Sequence, residues 1–438
     1  MSRKILIVGS GAREHAIAAA LSRSPQYPML YVWGSGVNPG MRDLSTATRV
    51  GSLLDGPSIA QWARGLGVDL AVIGPEAPLE AGVSDALWAV GIPVVGPKKT
   101  LARLESSKAF TRDLLMNHGI AHACPKFRRF DSMEGVAAFL AELGDLYVIK
   151  ADGLMGGKGV KVAGDHLQSH QEALDWCEEL IGAGGAFVIE EKLIGEEFSL
   201  ISFCGGRTLC HTPPVQDHKR AFEGDTGPNT GGMGSYSDAD HSLPFLSRSD
   251  LEEARTINEQ VADALHRETG EYYKGMLYGG FMATASGVKV IEYNARFGDP
   301  ECENLLTLVE SDLVAAFDAV IDDALDARSV VFRRQASVCK YAVPEGYPDR
   351  PMKGFPFSID RVRSEGLYLG AVDIKDGVLV GTGSRTVAVV STGDTLAEAE
   401  AKAEHEICKI EGPLFHRKDV GTDALIARRV AHMRELRA

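Results

Sequence analysis

The first hundred residues alternate short apolar strands with helical stretches, and this alternation constrains the fold more than any other feature. Residues 4–8 form an apolar strand, residues 16–21 an alanine-rich helix, and residues 70–73 a second strand. A helix over about 81–90 and a strand over 92–95 follow. Such alternation predicts a parallel α/β sheet, because parallel strands need a crossover connection.

A glycine-rich turn joins the first strand to the first helix. Gly9, Ser10, Gly11 and Arg13 lie in it, and its N–H groups, with the helix dipole behind them, favour an anion. The dinucleotide fingerprint is incomplete, because Glu and His occupy positions 14–15, where a third glycine is expected. The turn therefore favours a phosphate or sugar phosphate over NAD, and a purely structural tight turn is the alternative.

Glu76 follows the strand over residues 70–73, at the carboxyl end of the predicted sheet. Open α/β sheets bind ligands at this end, so Glu76 is a candidate ligand contact. A turn or N-cap carboxylate is an equally good interpretation. The Gly96-Pro97 pair predicts a domain boundary near residue 100.

A lysine-bearing hairpin occupies the middle of the chain. A strand over residues 147–150 ends in Lys150, a glycine-rich loop follows, and a second strand starts at Val160. No helix follows the loop, so it is not a Walker A loop. The pattern predicts a tip that folds over phosphates, with Lys150 beneath it and Lys158 at its end. An ordinary hairpin with a mobile loop is the alternative.

Further polar segments surround this hairpin. Lys108 lies on a helix capped by residues 106–107, although a lone helical lysine is usually solvated. Two strands over residues 187–200 flank a polar hinge whose backbone could contact adenine, and an exposed acidic hairpin is the alternative. A charged cluster over residues 216–220 precedes a glycine-rich segment over residues 224–234, from which no core can be built. A disordered linker is the alternative there.

The stretch from Val290 to Glu301 concentrates ionisable side chains. Its alternating start predicts a half-buried strand, on which Glu292, Asn294 and Arg296 project from one face. A carboxylate, an amide oxygen and a guanidinium in a row suit Mg²⁺ and the phosphate oxygens that it bridges. The alternative is a polar strand facing solvent, in which Arg296 pairs with one of two acidic residues, Asp299 or Glu301.

The remaining sequence predicts further helices and a C-terminal domain. Helices are predicted over residues 251–265 and 305–325. Between them, a hairpin is predicted that pairs residues 276–283 with residues 288–294. From residue 336 short strands and turns dominate, and helices follow from about residue 395. This change predicts a separate α+β domain.

Size and charge exclude several classes of protein. A chain of 438 residues is too long for one ordinary core, so two to four domains are expected. The net charge of −14 argues against a general nucleic-acid or anionic-membrane binder. No secretory signal or membrane-length apolar run is visible, and the 7 cysteines are scattered. This pattern is typical of a cytoplasmic protein with reduced thiols.

Several motifs occur in a fixed order: Gly-x-Gly-x-Arg-Glu-His-Ala, Gly-Pro-Glu-Ala-Pro-Leu, Ser-Lys-Ala-Phe, Val-Ile-Lys-Ala-Asp-Gly-Leu, Gln-Asp-His-Lys-Arg, Gly-Asp-Thr-Gly-Pro-Asn-Thr-Gly-Gly-Met-Gly and Asn-x-Arg-Phe-Gly-Asp-Pro-Glu. This set resembles the glycinamide ribonucleotide synthetases, or phosphoribosylamine–glycine ligases, of the ATP-grasp superfamily. The resemblance runs from Lys4 to about Gly421. Ala12, Ala295 and residues 302–304 depart from the family's usual residues, and none of these changes removes a charged group assigned to the chemistry.

The resemblance implies an α/β and α+β multidomain fold. A Rossmann-like parallel sheet is expected over residues 1–104, an ATP-grasp domain over 105–330 with a mobile lid subdomain over about 124–194, and a small α+β domain over 331–438. The implied reaction joins glycine to phosphoribosylamine at the expense of ATP, through a glycyl phosphate, as the second step of purine synthesis. Phosphorylation is needed because a carboxylate oxygen is a poor leaving group.

The resemblance also implies roles for individual residues. The metal ligands, for Mg²⁺ or Mn²⁺, are Glu292 and Asn294. The catalytic residues are Arg296, Asp217, Lys219 and Asp299. The ATP-binding residues are Lys108, Lys150, Gly153, Gly156, Gly157, Lys158, Gly159, Glu190, Leu193 and Glu197. The residues that bind glycine or phosphoribosylamine are Gly9, Ser10, Gly11, Arg13, Glu76, Asp225, Gly231, Gly232 and Met233.

Some alternatives stay open at this point. A second Mg²⁺ would need Glu301 or water, because residues 279–282 offer no carboxylate. Another ATP-grasp ligase of purine synthesis and an inactive nucleotide-binding regulator are the competing functions, and an NAD-dependent oxidoreductase rests only on the first glycine turn. The expected partners are small molecules, with no nucleic acid and no membrane, in a monomer or homodimer.

Overall fold

A computed structural model describes residues 2–154 and 159–438 of the chain. The N-terminal region contains β1 (Lys4–Val8), α1 (Ala12–Ser22), β2 (Met29–Gly34), α2 (Pro39–Leu44), β3 (Ala47–Val50), α3 (Gly56–Leu66), β4 (Leu70–Ile73), α4 (Glu76–Ala81), α5 (Val83–Ala89) and β5 (Val94–Val95). Its strands form one parallel sheet in the order β3-β2-β1-β4-β5. The predicted parallel α/β sheet is confirmed.

Both faces of this parallel sheet are covered. Ile5 and Ile7 of β1 pack in one hydrophobic cluster, whereas Leu6 and Val8 pack in another. The strand order reverses between β1 and β4, so a crevice opens at their carboxyl ends. The glycine turn after β1 and Glu76 after β4 both lie at this crevice.

Two local features differ from the sequence-based prediction in this region. Helix α1 begins at Ala12 and not at residue 16, because the Glu14 carboxylate accepts from the Gly11 N–H (2.6 Å) and caps the first turn. Glu76 is not in a turn, since it is the first residue of the short helix α4.

The central region begins with α6 (Lys99–Ser106) and α7 (Lys108–Asn117), which Ser107 caps as predicted. A small antiparallel sheet, in the order β6-β9-β7-β8, comprises β6 (Phe127–Phe130), β7 (Tyr147–Ala151), β8 (Val160–Val162) and β9 (Phe187–Glu191). Two helices, α8 (Val136–Leu143) and α9 (His170–Gly182), pack with it around a core of its own. This core lies within the expected lid, residues 124–194.

The second central sheet has the order β11-β10-β16-β17. It is built from β10 (Glu196–Gly205), β11 (Leu209–His211), β16 (Lys274–Thr284) and β17 (Gly287–Asn294). The long helix α10 (Arg248–Thr269) packs on it. The predicted pairing of β16 with β17 is confirmed.

The helix predicted over residues 305–325 is wrong as a single element. The structure has α11 (Glu301–Leu308) and α12 (Leu313–Ile321) instead. The N–H groups of Glu310 and Ser311 donate to the Val331 carbonyl, and Asp312 caps the second helix. Because these N–H groups bond to Val331 and not to carbonyls one turn earlier, α11 does not continue.

The C-terminal region contains β18 (Ala336–Pro344), β19 (Phe355–Pro356), β20 (Gly366–Leu369), β21 (Val372–Lys375), β22 (Val378–Gly381), β23 (Val387–Gly393), α13 (Leu396–Ile407), β24 (Leu414–Phe415) and α14 (Asp423–Leu436). Its main sheet, β12-β15-β18-β23-β20, takes β12 (Gln216–Asp217) and β15 (Gly234–Ser237) from the central region. The predicted mixture of short strands and helices is therefore present. The glycine-rich segment leads directly into β15, so it is attached to this sheet.

That glycine-rich segment is more ordered than the sequence suggested. Its β14 (Thr226–Asn229) pairs with β13 (Arg220–Phe222), which lies just before the segment, and its Met233 is buried in a hydrophobic cluster. The expectation that it contributes nothing to a core is therefore wrong. Within residues 2–154 and 159–438, no helix is both long and apolar enough to cross a membrane.

Candidate active site

A β-bulge in β17 shapes the centre of the site. Glu292 pairs with Gly280 and Val290 pairs with Phe281, so Ile291 is an extra residue in this strand. Strict alternation would place Val290 on the face of Glu292, whereas the observed Val290 is fully buried and Glu292 is partly exposed. Bulges re-aim side chains in this way. The strand thus keeps its apolar residues inside while Glu292 and Asn294 face the cleft.

The bulge also exposes a backbone acceptor. The Ile291 carbonyl accepts hydrogen bonds from Lys150 Nζ (2.9 Å) and Arg112 Nη2 (2.8 Å). Lys150 lies on β7 of the small sheet, and Arg112 lies on α7. These two bonds therefore join the small sheet to the strand that carries Glu292.

Glu190 is the ion-pair partner of both cations at this junction. Its carboxylate accepts a bidentate pair of bonds from Arg112 (2.6 and 2.9 Å) and lies 2.7 Å from Lys150 Nζ. Burial lowers the pKa of Lys150, and the Glu190 charge opposes that shift. The contact of Glu190 with adenine stays a prediction; in the structure this carboxylate pairs with Lys150 and Arg112.

Glu292 lies among cations. Lys219 Nζ lies 3.6 Å from Glu292 Oε1 and also donates to Glu197. Burial alone would raise the pKa of Glu292, but Lys219, Lys108 and Lys150 lower it to about 2. Glu292 is therefore ionised at neutral pH, with a cation beside it.

Asp217 lies near Lys219 and has excess negative charge around it. Burial raises the pKa of Asp217 well above its usual range, and the nearby Glu301 raises it further. Glu301 accepts from the Tyr278 hydroxyl (2.8 Å), and burial raises its pKa as well. These two carboxyl groups form a region that a ligand cation would stabilise.

Arg296 connects this site to the N-terminal domain. It lies 3.0 Å from Glu105 and 3.3 Å from Glu76, and its Nη2 donates to the Asn294 amide oxygen (3.4 Å). Among the described residues its ion-pair partners are these two, so the solvent-facing pairing with Asp299 or Glu301 is wrong. Arg296 and Arg13 lower the pKa of Glu76 to about 2 against the opposing effect of burial.

Asp299 faces a residue from the C-terminal domain. Arg385 lies 3.0 Å from Asp299 Oδ2 and donates to the carbonyls of Gly231 (2.6 Å) and Gly232 (3.2 Å). Gly232 has φ of +111°, and a Cβ there would lie 2.6 Å from Asp217 Oδ1. The glycine-rich segment therefore runs between Arg385 and Asp217, where larger side chains do not fit.

The turn after β1 contains a carboxylate. Besides capping the Gly11 N–H, Glu14 accepts from Arg13 Nε (2.7 Å), and a Cβ on Gly9 would lie 2.7 Å from the Glu14 carboxyl carbon. The Ser10 hydroxyl lies 3.4 Å from that of Ser35. The turn has the glycines of an anion site, but one of its N–H groups is already bonded to Glu14.

The other predicted residues occupy varied positions. Lys108 Nζ donates to the Glu105 carbonyl (3.1 Å) and lies 3.5 Å from the Gly153 carbonyl, so it borders the same cleft. The Gly159 carbonyl closes the β7–β8 hairpin, and Leu193 lies in the half-buried hinge between β9 and β10. Three of the predicted residues lie outside the described part of the chain: Gly156, Gly157 and Lys158.

Two predicted substrate contacts have side chains engaged elsewhere. Met233 packs in the core, so only its backbone can border a ligand. The Asp225 carboxylate, at a φ of +60°, contacts arginines of the C-terminal region, namely Arg417 (3.0 Å), Arg428 (2.8 Å) and Arg429 (2.5 Å). These ion pairs attach the glycine-rich segment to the C-terminal region.

Sequence reasoning missed several charged groups of the site. Arg112 lies four residues after Lys108 on one helix, so helical spacing could have revealed it. Glu105 and Arg385 gave no local signal, because their partners are remote in sequence. Glu14 was noted only as a departure from a glycine motif.

The comparisons with known proteins agree along the whole chain. Models of the phosphoribosylglycinamide synthetase N, ATP-grasp (A) and C domains match residues 3–105, 106–302 and 337–423. Phosphoribosylamine–glycine ligase of Methanosarcina acetivorans is 47% identical over 437 residues, covering 100% of this chain and 98% of that protein. The enzyme of the same name from Methanocaldococcus jannaschii is 44% identical over 445 residues, covering 99% and 100%.

Solved structures give the same result. The crystal structure of phosphoribosylamine–glycine ligase from Thermotoga maritima matches with a TM-score of 0.80 and 30% identity, over 95% of this chain and 99% of that one. An ADP complex of N5-carboxyaminoimidazole ribonucleotide synthetase matches with a TM-score of 0.66 at 16% identity, over 93% and 96%. At that identity, the second match indicates a shared fold alone.

Proposed function

The chain belongs to the phosphoribosylglycinamide synthetase family, the phosphoribosylamine–glycine ligases, and we propose that the cleft around Glu292 carries out its reaction. The enzyme is an ATP-grasp ligase of purine biosynthesis. One observation carries the assignment of the site, namely three lysines gathered at Glu292. Lys219 lies 3.6 Å from Glu292, Lys150 donates to the adjacent Ile291 carbonyl, and Lys108 lines the same pocket as Glu292. This positive charge suits a metal–triphosphate.

The reaction proceeds in two steps. A carboxylate oxygen of glycine attacks the γ-phosphorus of ATP, ADP leaves, and glycyl phosphate forms. The amine of phosphoribosylamine then attacks the carbonyl carbon, phosphate leaves, and the nitrogen loses a proton. Both steps depend on positioning and on neutralising charge.

Glu292 and Asn294 are suited to hold the metal. Both offer the oxygen ligands that Mg²⁺ prefers, and the Lys219 ammonium 3.6 Å from Glu292 indicates that this position accepts a cation. Gly280 lies opposite Glu292, and a Cβ there would lie 3.3 Å from Glu292 Cγ. A bound metal would supply charge neutralisation for the phosphate oxygens of ATP. Mn²⁺ accepts the same ligand types.

Lysines and the hairpin hold the nucleotide in this proposal. Lys150 and Lys108 face the α- and β-phosphates, and the loop from Gly153 to Gly159 covers them. The Leu193 backbone contacts adenine and Glu197 accepts the ribose hydroxyls. Lys219, which pairs with Glu197 and Glu292, is positioned to turn toward the γ-phosphate.

The other substrates bind toward the N- and C-terminal domains. Asp217 and Glu301 suit the glycine ammonium, because that cation would offset the repulsion that raises the pKa of Asp217. Arg296 is positioned to stabilise the moving phosphoryl group. Phosphoribosylamine lies in the crevice at Gly9–Arg13 and Glu76, with Asp299 near its amine. We propose the domain limits 1–104, 105–330 and 331–438 for these parts.

Release of ADP by the purified chain tests the proposal. We expect release only when glycine and phosphoribosylamine are both present with Mg²⁺ and ATP. Formate and bicarbonate, supplied separately in place of glycine, are the matched controls. ADP release that requires formate or bicarbonate would indicate another ATP-grasp ligase, and ATP binding without turnover would indicate an inactive regulator.

A further inference from the structure

A cluster of mixed ligand type lies in the C-terminal domain, outside the ligase cleft. Glu404, Cys408 and His416 each offer one ligand atom, and these atoms all lie within 4.8 Å of one another. Glu404 and Cys408 are one helical turn apart at the end of α13, and His416 directly follows β24. We propose that these three side chains form a binding site for Zn²⁺ or a similar borderline transition-metal ion.

Two of the three separations between the ligand atoms match those of a tetrahedral zinc site. Cys408 Sγ lies 3.5 Å from Glu404 Oε1, and His416 Nε2 lies 3.2 and 3.1 Å from the two Glu404 oxygens. Zinc bonds of about 2.3 Å to sulfur and about 2.0 Å to nitrogen or oxygen place tetrahedral ligands about 3.3–3.5 Å apart. The observed separations of the sulfur and nitrogen atoms from the carboxylate therefore need little adjustment.

The surrounding charges also suit a divalent cation. Glu404 shares the fully buried Lys340 with Glu400, through contacts of 2.7 and 2.6 Å. Two carboxylates and one ammonium leave one negative charge beside a thiol. A Cys408 thiolate and a divalent cation together add one positive charge, which offsets the net charge of those three side chains; the Lys418 ammonium also lies near Cys408. A protonated His416 paired with Glu404 is the competing way to neutralise the cluster.

The ligand types distinguish this site from the one at Glu292. Thiolate and imidazole favour Zn²⁺, Co²⁺ or Cu²⁺, whereas Mg²⁺ takes oxygen ligands. Cys408 is exposed, so the ion has an entry path and a free coordination position for water. Because the thiolate is the ligand, metal binding releases the thiol proton.

Titration of the full, chelator-treated chain with Co²⁺ in excess Mg²⁺ tests this site. We expect one equivalent to give the near-ultraviolet charge-transfer absorption of a cobalt–thiolate bond, and Zn²⁺ to displace it. Cys408→Ser should abolish the absorption. His416→Gln should weaken binding by about 100-fold or more, since outer-shell changes alone cost 10–100-fold.

His405→Gln is the matched control, because His405 is exposed on the same helix, and it should bind as the wild type does. Ligase activity in Mg²⁺ without Zn²⁺ should be unchanged in Cys408→Ser, which lies outside the reaction cleft. The absence of the thiolate absorption in the wild type, its retention in Cys408→Ser, or an unchanged cobalt affinity in His416→Gln would overturn the proposal.

Discussion

Replacing Glu190 by glutamine tests how the small sheet is attached to the metal-binding strand. The substitution keeps the shape of the side chain but removes the charge that balances Arg112 and Lys150, both of which are buried. Removing one partner of a buried ion pair costs about 3–5 kcal/mol. We expect a value near the lower limit, because both cations keep their bonds to the Ile291 carbonyl.

Urea denaturation followed by circular dichroism measures this loss. With an m-value of about 1–3 kcal/mol per molar urea, as for a small domain such as this sheet with α8 and α9, a loss of about 3 kcal/mol lowers the midpoint of its transition by about 1 M or more. Glu179→Gln is the matched control, since Glu179 is exposed on α9 beside the same sheet. Its midpoint should stay close to that of the wild type.

The same substitution should alter the pH dependence of ATP binding. Burial lowers the pKa of Lys150 and the Glu190 charge raises it, so the pKa falls further in Glu190→Gln. A lysine loses its charge above its pKa. The KM for ATP should therefore begin to rise at a lower pH in the variant than in the wild type. An unchanged urea midpoint together with an unchanged KM profile would refute the assigned role of Glu190.

Further predictions concern the metal, the transferred group and the crevice. Glu292→Ala should lower kcat/KM by about 100-fold or more, which corresponds to about 2.7 kcal/mol, and an unchanged Mg²⁺ dependence would remove Glu292 from the ligand set. Arg296→Lys should keep ATP binding, measured by titration, but lower turnover, because lysine lacks the bidentate fork; wild-type turnover would make Arg296 structural. The pKa of Glu76 is lowered from 4.5 to about 2. The ionised carboxylate therefore adds to the free energy of unfolding above pH 4.5, and this contribution is lost as pH falls toward 2. The stability difference between the wild type and Glu76→Gln should shrink over that interval, and a constant difference would contradict the assigned ion pairs.

The Lys219 ammonium pairs with two carboxylates of the cleft, Glu197 and Glu292. Both carboxylates are proposed ligand-binding groups. With a cation held at Glu292, Lys219 would lose this partner and, in the proposed mechanism, turn toward the γ-phosphate.

Arg385 links the C-terminal domain to the reaction cleft. It contacts the carbonyls of Gly231, Gly232 and Asp299 together with the Asp299 carboxylate, and it lies over the Tyr341 ring. One side chain from the loop between β22 and β23 therefore holds both the glycine-rich segment and the loop after β17. The C-terminal domain thus contributes a side chain that shapes the proposed substrate region.

The sequence by itself determined the fold class and the family, because strand–helix alternation and ordered motifs are local properties of the chain. It also singled out Glu292, Asn294 and Arg296, whose polar types are unsuited to a core. It overestimated the helix after Glu301, since the competing backbone partners near Val331 are distant in sequence.

Only the tertiary structure decided how those side chains are directed and paired. The bulge at Ile291 depends on the register of two strands, and strict alternation would have turned Glu292 toward the core with Val290. The partners of Arg296 come from α4 and α6, far away along the chain. Ion pairs depend on distance in space, so residues such as Glu105 and Arg385 acquire their roles only when the domains pack together.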